Sequence, residues 1–312
     1  MKKYVFGVDV GGTTCKIGFF KEGGELLDKW EIPTDTTDNG NHILSNIAAE
    51  INRKVKEDGI DKTDIAGIGT GVPGPVTNNS VVSVCENLGW VNVNVAKELG
   101  ELTGLLVKAE NDANLATLGE MWRGNTGGSK NLMMVTLGTG IGAGVISDGK
   151  IITGSNGAAG EIGHMTVNYE EKEICACGRY GCLEQYGSAT GIVRLAKRRL
   201  AKTMAESRLR KEHKVTAKLV FDLAKEGDGV ALEVVDEVGK ILGAALANVA
   251  CVTNPEVIVI GGGVSKAGDI LIDVIKNNFE KYVFCDCQNV RFVLASLGND
   301  AGIYGCARLM TE

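Results

Sequence analysis

Residues 160–184 read GEIGHMTVNYEEKEICACGRYGCLE, and this span gathers one imidazole and three thiols. His164, Cys175, Cys177 and Cys182 make the Cys₃His set that suits tetrahedral zinc, with Gly178 and Gly181 letting the backbone bend so that Cys177 and Cys182 converge. Four protein ligands leave no open position for a substrate or an activated water. The metal is therefore expected to be structural, a staple on a loop. Two carboxylates flank the set: Glu161 stands three residues before the histidine and Glu184 two residues after the last cysteine. A staple that fixes the loop would fix both acceptors at its rim, as a polyhydroxylated ligand requires.

Three glycine-rich turns follow apolar runs: residues 9–16 (DVGGTTCK), 138–144 (GTGIGAG) and 261–263. Backbone N–H groups at such turns come within hydrogen-bonding range of phosphate oxygens, and a neighbouring threonine hydroxyl adds a donor. Gly11, Gly12, Thr13, Thr14 and Lys16 are the candidates in the first turn, Gly138, Thr139 and Gly140 in the second, and Gly262 and Gly263 in the third. Asp9, ending the first apolar run, is placed to hold Mg²⁺ directly or through water, as a nucleotide's phosphates need. The segment from Gly138 to Ala143 also fits the relaxed dinucleotide fingerprint, with Glu161 near the expected ribose acid. That fingerprint must open a helix, whereas IGAGVIS follows, a strand-like run, so the dinucleotide reading is rejected. No P-loop motif occurs.

The elements that carry these groups form a repeated plan. Residues 4–33 read as a three-stranded meander, YVFGVDV, CKIGFF and ELLDKWEI, and from Asn131 the plan recurs as NLMMVTLG, IGAGVIS and KIIT. Such a duplicated opening predicts two similar α/β domains facing each other across a cleft, where a ligand is expected. Helical spacing runs over residues 43–56, 188–205 and 231–252, with a last helix from about Asp300; IAGIGTGV from Ile65 and VIVIG from Val257 read as buried strands. At 107–114, VKAENDAN, a strand passes into a helix near Ala113 and leaves polar side chains at the junction.

A chain of 312 residues is long enough for two domains. Its 43 glycines against 4 prolines imply tight turns and loops approaching a ligand. A net charge of −6 offers no general attraction to nucleic acid or an anionic membrane. Residues 194–218 hold ten Lys or Arg against Glu206 and Glu212; a solvated helical face is expected there, with nucleic-acid contact the lesser alternative. Nine cysteines without a disulfide-framework spacing favour a reducing compartment. With no signal peptide, anchor or apolar run of spanning length read from the letters, the cytoplasm is expected.

Together these residues resemble a ROK-family sugar kinase of the actin-like ATPase fold, over essentially the whole chain. DVGGT from Asp9, GVPGPV from Gly71, ENDAN from Glu110, LGTGIG from Leu137, GEIGH from Gly160 and CACGRYGCLE from Cys175 carry the resemblance. SATGIV from Ser188 is similar to the bacterial glucokinase branch, which implies glucose as acceptor. The fold expected is α/β with two duplicated actin-like (ribonuclease H-like) domains flanking a cleft: residues 1–116 plus 300–312 as a small N-terminal domain, and 117–299 as a larger C-terminal domain carrying the zinc segment. The resemblance implies that Asp112 is the base that takes the proton from the sugar 6-hydroxyl as it attacks the γ-phosphorus of ATP; helix N-capping is the other role open to Asp112. It further implies that Asn87, Asn111, Asp112, Glu161, His164 and Glu184 contact the sugar, His164 using one ring nitrogen on zinc and the other on the sugar. Gly12 and Thr13 with Gly138 and Thr139 would face the phosphates, and Gly262 and Gly263 would border the adenosine. CENLGW around Asn87 departs from the many relatives that carry a proline near this asparagine, so Glu86 bears on how that loop closes. The expected partners are ATP and glucose, with Mg²⁺, in a homo-oligomer (dimer or tetramer). The alternatives are a kinase for N-acetylmannosamine or another hexose, and a sugar-sensing transcriptional regulator of the same family.

Overall fold

A computed structural model describes residues 2–311, which divide into two compact units. The first contains the described residues up to Gly128, Ile151–Ala159 and those from Ser296 onward; the second contains Ser129–Lys150 and Gly160–Ala295. The boundary expected at 116 falls inside a helix that belongs wholly to the first unit.

In the first unit, β1 (Tyr4–Val10), β2 (Thr14–Lys21) and β3 (Leu26–Pro33) form the expected meander. Ile43, Ile47, Ile51 and Val55 recur at every fourth position of α1 (Ile43–Glu57) and are buried as one stripe. Next comes β4 (Ile65–Val72), parallel to β1 and buried along nearly its whole length, as a central strand must be. A small antiparallel sheet of β5 (Val76–Thr77), β6 (Val81–Cys85) and β7 (Trp90–Asn94) was not expected. Its first hairpin turns through Asn78, Asn79 and Ser80, with Asn78 and Asn79 at φ of 53° and 51°, the left-handed conformation that asparagine tolerates, and the Ser80 N–H on the Thr77 carbonyl at 3.1 Å. After α2 (Val95–Thr103), capped by Asn94 and ended by Gly104 at φ 69°, β8 (Val107–Asn111) runs directly into α3 (Asp112–Arg123).

In the second unit, β9 (Leu132–Leu137), β10 (Ile141–Ser147) and β11 (Lys150–Ile151) repeat the meander. α4 (Glu184–Gly187), α5 (Ala189–Lys202), α6 (Ala217–Lys225) and α7 (Gly229–Thr253) follow. Then come β12 (Val257–Gly261), α8 (Asp269–Tyr282) and β13 (Arg291–Leu294). The helix expected to run to 205 stops at Lys202. α9 (Ala301–Thr311) closes the chain and packs on β1, β4 and α3 of the first unit.

Both large sheets have the same topology, β3-β2-β1-β4-β8 and β11-β10-β9-β12-β13. Each pairs its first two strands antiparallel and its first, fourth and fifth in parallel. This is the duplicated actin-like (ribonuclease H-like) α/β architecture. Each unit buries its own apolar core. Some glycines serve packing instead of ligand approach: a Cβ at Gly305 of α9 would collide with the Leu115 carbonyl of α3, and one at Gly69 of β4 with that of Cys306. Among the described residues, no helix is long and apolar enough to cross a membrane.

Candidate active site and metal centre

β1 delivers Asp9 to the end of the first sheet, opposite Lys16 of β2 and Gly71 of β4. The first turn of α9 rests on its carboxylate, since a Cβ at Gly302 would lie 2.5 Å from Asp9 Oδ2. Burial pushes the Asp9 carboxyl up to about 6, the charge of Asp112 pushes it the same way, and Lys16 pulls it back. Two carboxylates that repel across this sheet end are a natural seat for a cation.

Asn111, not Asp112, caps α3. Its Oδ1 accepts from the N–H groups of Ala113 (2.9 Å) and Asn114 (3.2 Å), while its Nδ2 donates to the Gly74 carbonyl at 3.1 Å. One amide hydrogen of Asn111 therefore remains for a ligand. Asp112 is the first residue of the helix, and its Oδ1 accepts from the Ala113 N–H at 2.8 Å. Beneath them Glu110 is buried, accepting from Asn111 N and Asn114 Nδ2; burial raises its carboxyl above the usual range.

The 11–14 turn is tied by Gly11 N–H to the Thr14 carbonyl (3.0 Å), and Thr34 bonds the carbonyls of Gly11 and Thr13. Asn87, exposed in the short helical turn after β6, stands beside Gly12: a Cβ there would be 3.9 Å from that of Asn87. Lys16 Nζ donates to the Asn299 carbonyl (2.5 Å) and lies 3.4 Å from Asp300 and 3.8 Å from Glu31, so it fastens β2 to the entrance of α9.

In the second unit the 138–140 turn is closed by Gly138 N–H on the Gly140 carbonyl (3.0 Å). Its outer carbonyls are held by α5: Ala189 N–H bonds Gly138 at 2.8 Å and Thr190 Oγ1 bonds Thr139 at 2.8 Å. Gly140 lies against Glu184, where a Cβ would be 2.7 Å from Oε2. Thr139, Gly140, Cys175, Glu184, Thr190 and Arg194 help line a pocket of about 410 Å³. Gly262, at φ 82°, backs onto Leu137, whereas nothing approaches Gly263.

His164, Cys175, Cys177 and Cys182 converge, each offering a ligand atom within 4.8 Å of the others. Cys177 and Cys182 sulfurs are 3.6 Å apart, and the buried Nδ1 of His164 has no hydrogen-bond partner. An orphaned imidazole nitrogen beside three thiols is costly unless a metal uses it, so the donor set fits a soft or borderline cation. Glu184 Oε1 accepts from Cys175 Sγ at 2.9 Å and lies 3.7 Å from His164 Nδ1. Glu161 precedes the helical turn that carries His164, its carbonyl accepting the His164 N–H at 3.1 Å.

What the letters did not reveal is the partner of the basic run. Arg194 and Arg198 turn toward the buried Glu171, Arg199 pairs with Glu233, Arg208 with Glu226 and Lys218 with Asp222. Much of that positive charge is spent inside the unit. An acidic YEEKE run just ahead of the thiols was the available signal.

Residues 5–312 match the ROK family. A glucokinase from Halalkalibacterium halodurans is 46% identical over 316 residues, covering 99% of this chain and 96% of that protein. Another from Thermotoga maritima is 36% identical over 320 residues, covering 100% and 98%. Among solved structures, a ROK family glucokinase from Streptomyces griseus in complex with glucose and AMPPNP superposes with a TM-score of 0.76 at 32% identity, over 98% of each chain. The duplicated sheet, the converging thiols and imidazole, and a match spanning all but the first residues lead to one conclusion: this chain belongs to the ROK family.

Proposed function

We propose that the protein is an ATP-dependent glucokinase, transferring the γ-phosphoryl group to the 6-hydroxyl of glucose. The observation that carries this reading is the 46% identity to a glucokinase across 99% of the chain. The geometry agrees with it in chemical terms. Phosphoryl transfer asks for one carboxylate near the nucleophile, a cation to offset phosphate charge, and donors along the phosphates.

In this reading Asp112 takes the proton of the 6-hydroxyl as that oxygen attacks phosphorus in line. Asp9 would hold Mg²⁺, which supplies charge neutralisation to the triphosphate. Gly11, Gly12, Thr13, Thr14 and Lys16 with Gly138, Thr139 and Gly140 would donate to phosphate oxygens, and Gly262 and Gly263 would border the adenosine. Asn87, Asn111, Glu161, His164 and Glu184 would hold the sugar hydroxyls. His164, Cys175, Cys177 and Cys182 would ligate zinc, which would order the loop bearing these sugar contacts. A homo-oligomer, dimer or tetramer, in the cytoplasm completes the reading.

A coupled assay with MgATP over a panel of hexoses and N-acetylhexosamines tests it. Glucose should give the highest kcat/KM and yield the 6-phosphate. Turnover confined to N-acetylmannosamine would overturn the choice of acceptor.

A further inference from the structure

A carboxylate buried beside two guanidinium groups is an expensive feature, and such a group is weak evidence for stability alone. Glu171 is one: its side chain is 3% exposed. Arg198 grips it with both terminal nitrogens at 2.9 Å, Arg194 Nη2 bonds Oε2, Tyr186 Oη donates at 2.5 Å, and the N–H groups of Lys172 and Glu173 close on Oε1 at 2.9 and 3.0 Å. Every lone pair of the carboxylate is used.

The partners belong to the elements that build the candidate centre. Tyr186 sits in α4, whose first residue is Glu184, and its hydroxyl also accepts from Asn168 Nδ2 at 2.9 Å. Arg194 lies 5.1 Å over the Tyr186 ring and donates to the Gln185 carbonyl at 3.2 Å. Gln185 in turn donates to the Glu173 carbonyl (2.9 Å) and accepts from the Cys182 N–H (3.1 Å). Arg194 and Arg198 both reach Glu173, two residues before Cys175. The helix that carries both arginines is pinned at its other end to the 138–140 turn through Ala189 and Thr190. A continuous bonded path thus runs from the glycine turn through α5 and Glu171 to the segment holding Cys175, Cys177, Cys182 and Glu184. By contrast, the pairs Arg199–Glu233 and Lys218–Asp222 are exposed and tie nothing to this segment.

We infer that Glu171, gripped by Arg194 and Arg198, is a positioning residue that holds the thiol-bearing segment and Glu184 in register with the 138–140 turn, so that metal retention and sugar affinity both depend on it. The inference rests on the reading of the Cys₃His set as a metal centre and of Glu184 as a sugar contact. Glu171 touches neither ligand; it acts through Tyr186, Gln185 and the backbone.

Three measurements on Glu171→Gln, Glu171→Asp, Arg198→Lys and the control Arg199→Ala test it. One is the rate at which bound metal passes to a chromogenic chelator; another is trypsin cleavage after the exposed Lys172 and Arg179; the last is KM for glucose against KM for ATP. Loss of an outer partner of a metal site weakens metal binding by about 10–100-fold, so Glu171→Gln should release metal and be nicked at least about tenfold faster. Its glucose KM should rise several-fold while its ATP KM stays near the wild-type value. Glu171→Asp should recover part of each effect, and Arg199→Ala should match the wild type. If Glu171→Gln does not fold, Arg198→Lys carries the same test, because it keeps the charge and loses the two-pronged grip. Wild-type metal retention, trypsin resistance and glucose KM in whichever folded variant is tested would overturn the inference. Wild-type protein that yields no metal to the chelator would overturn the metal reading instead, leaving trypsin and the KM ratio to decide the positioning role.

Discussion

The two large sheets have one strand order and equivalent registers, yet they differ at the same positions. In the first, Asp9 of β1 stands opposite Lys16 of β2 and Gly71 of β4. In the second, Thr136 of β9 stands opposite Gly142 of β10 and Gly261 of β12, and its hydroxyl merely bonds the Gly142 carbonyl at 3.2 Å. Duplication therefore supplied two glycine-turn scaffolds, and charge was placed on one. In our reading a phosphate chain would be repelled by a bare carboxylate, so the Asp9 turn would need a cation between them; residues 138–140 carry no charged side chain of their own, and the carboxylate against them is Glu184, at Gly140. In our reading the first unit performs the reaction while the second grips and orders.

The largest effect that could break this contrast is at Asp112. Asp112→Asn should lower kcat by about 10²–10⁴-fold, the contribution of a positioned base, with calorimetric glucose affinity nearly unchanged. Retained turnover would leave the first unit with no claim to the chemistry.

That residue also marks how far the letters could be read. ENDAN placed a carboxylate at a strand-to-helix junction, and β8 passing into α3 at Asp112 is that junction; which of its residues capped the helix was settled only by geometry, because Asn111 and Asp112 are equally good caps by type. The meanders were legible because apolar strands punctuated by glycine leave a local signal. β5 to β7 were not, since strands of two to five residues carry too little alternation to register, even though Asn78-Asn79 advertised the turn. Lys16's tie to the entrance of α9 stayed hidden for a different reason. Its partner, the Asn299 carbonyl, lies 283 residues away, and no local pattern announces a contact at that distance. Glu171 was missed likewise, its arginines being 23 and 27 residues downstream.

Metal removal should strike the second unit alone. A site occupied at 1,000 times its dissociation constant stabilises by about 4 kcal/mol, so stripping it should lower Tm by on the order of ten degrees. Hydrogen exchange should then rise in residues 160–187 while β1 and β4 keep their protection. Equal loss of protection in both sheets would mean that the thiol segment is not a local staple.

Glu184→Ala sharpens the contrast within the second unit, because Glu184 lies between the thiols and the 138–140 turn. A lost charged hydrogen bond to substrate costs about 1.5–3 kcal/mol, so the glucose KM should rise at least about tenfold with little change in the ATP KM. Equal rises would assign Glu184 to the turn and not to the sugar.

The smallest effect concerns Asp9, and its sign follows from the asymmetry between the sheets. An aspartate ordinarily titrates near 3.8, and in the folded chain burial and Asp112 raise Asp9 to about 6. The folded state thus holds the Asp9 proton more tightly than the unfolded state, so the associated stability is fully present below pH 3.8 and is lost as pH rises through about 6. The full shift corresponds to at most about 3 kcal/mol, and partial access of solvent to this sheet end reduces the expected figure to about 1 kcal/mol. Asp9→Asn, without nucleotide or magnesium, should therefore gain Tm over the wild type by a few degrees at pH 7 and by almost nothing at pH 4. Thr136→Ala, at the equivalent point of the neutral sheet, should change Tm by the same amount at both pH values. A pH-independent change in Asp9→Asn would mean that the carboxyl titrates alike in the folded and unfolded chains, and the repulsion that calls for a cation in the first unit would be absent.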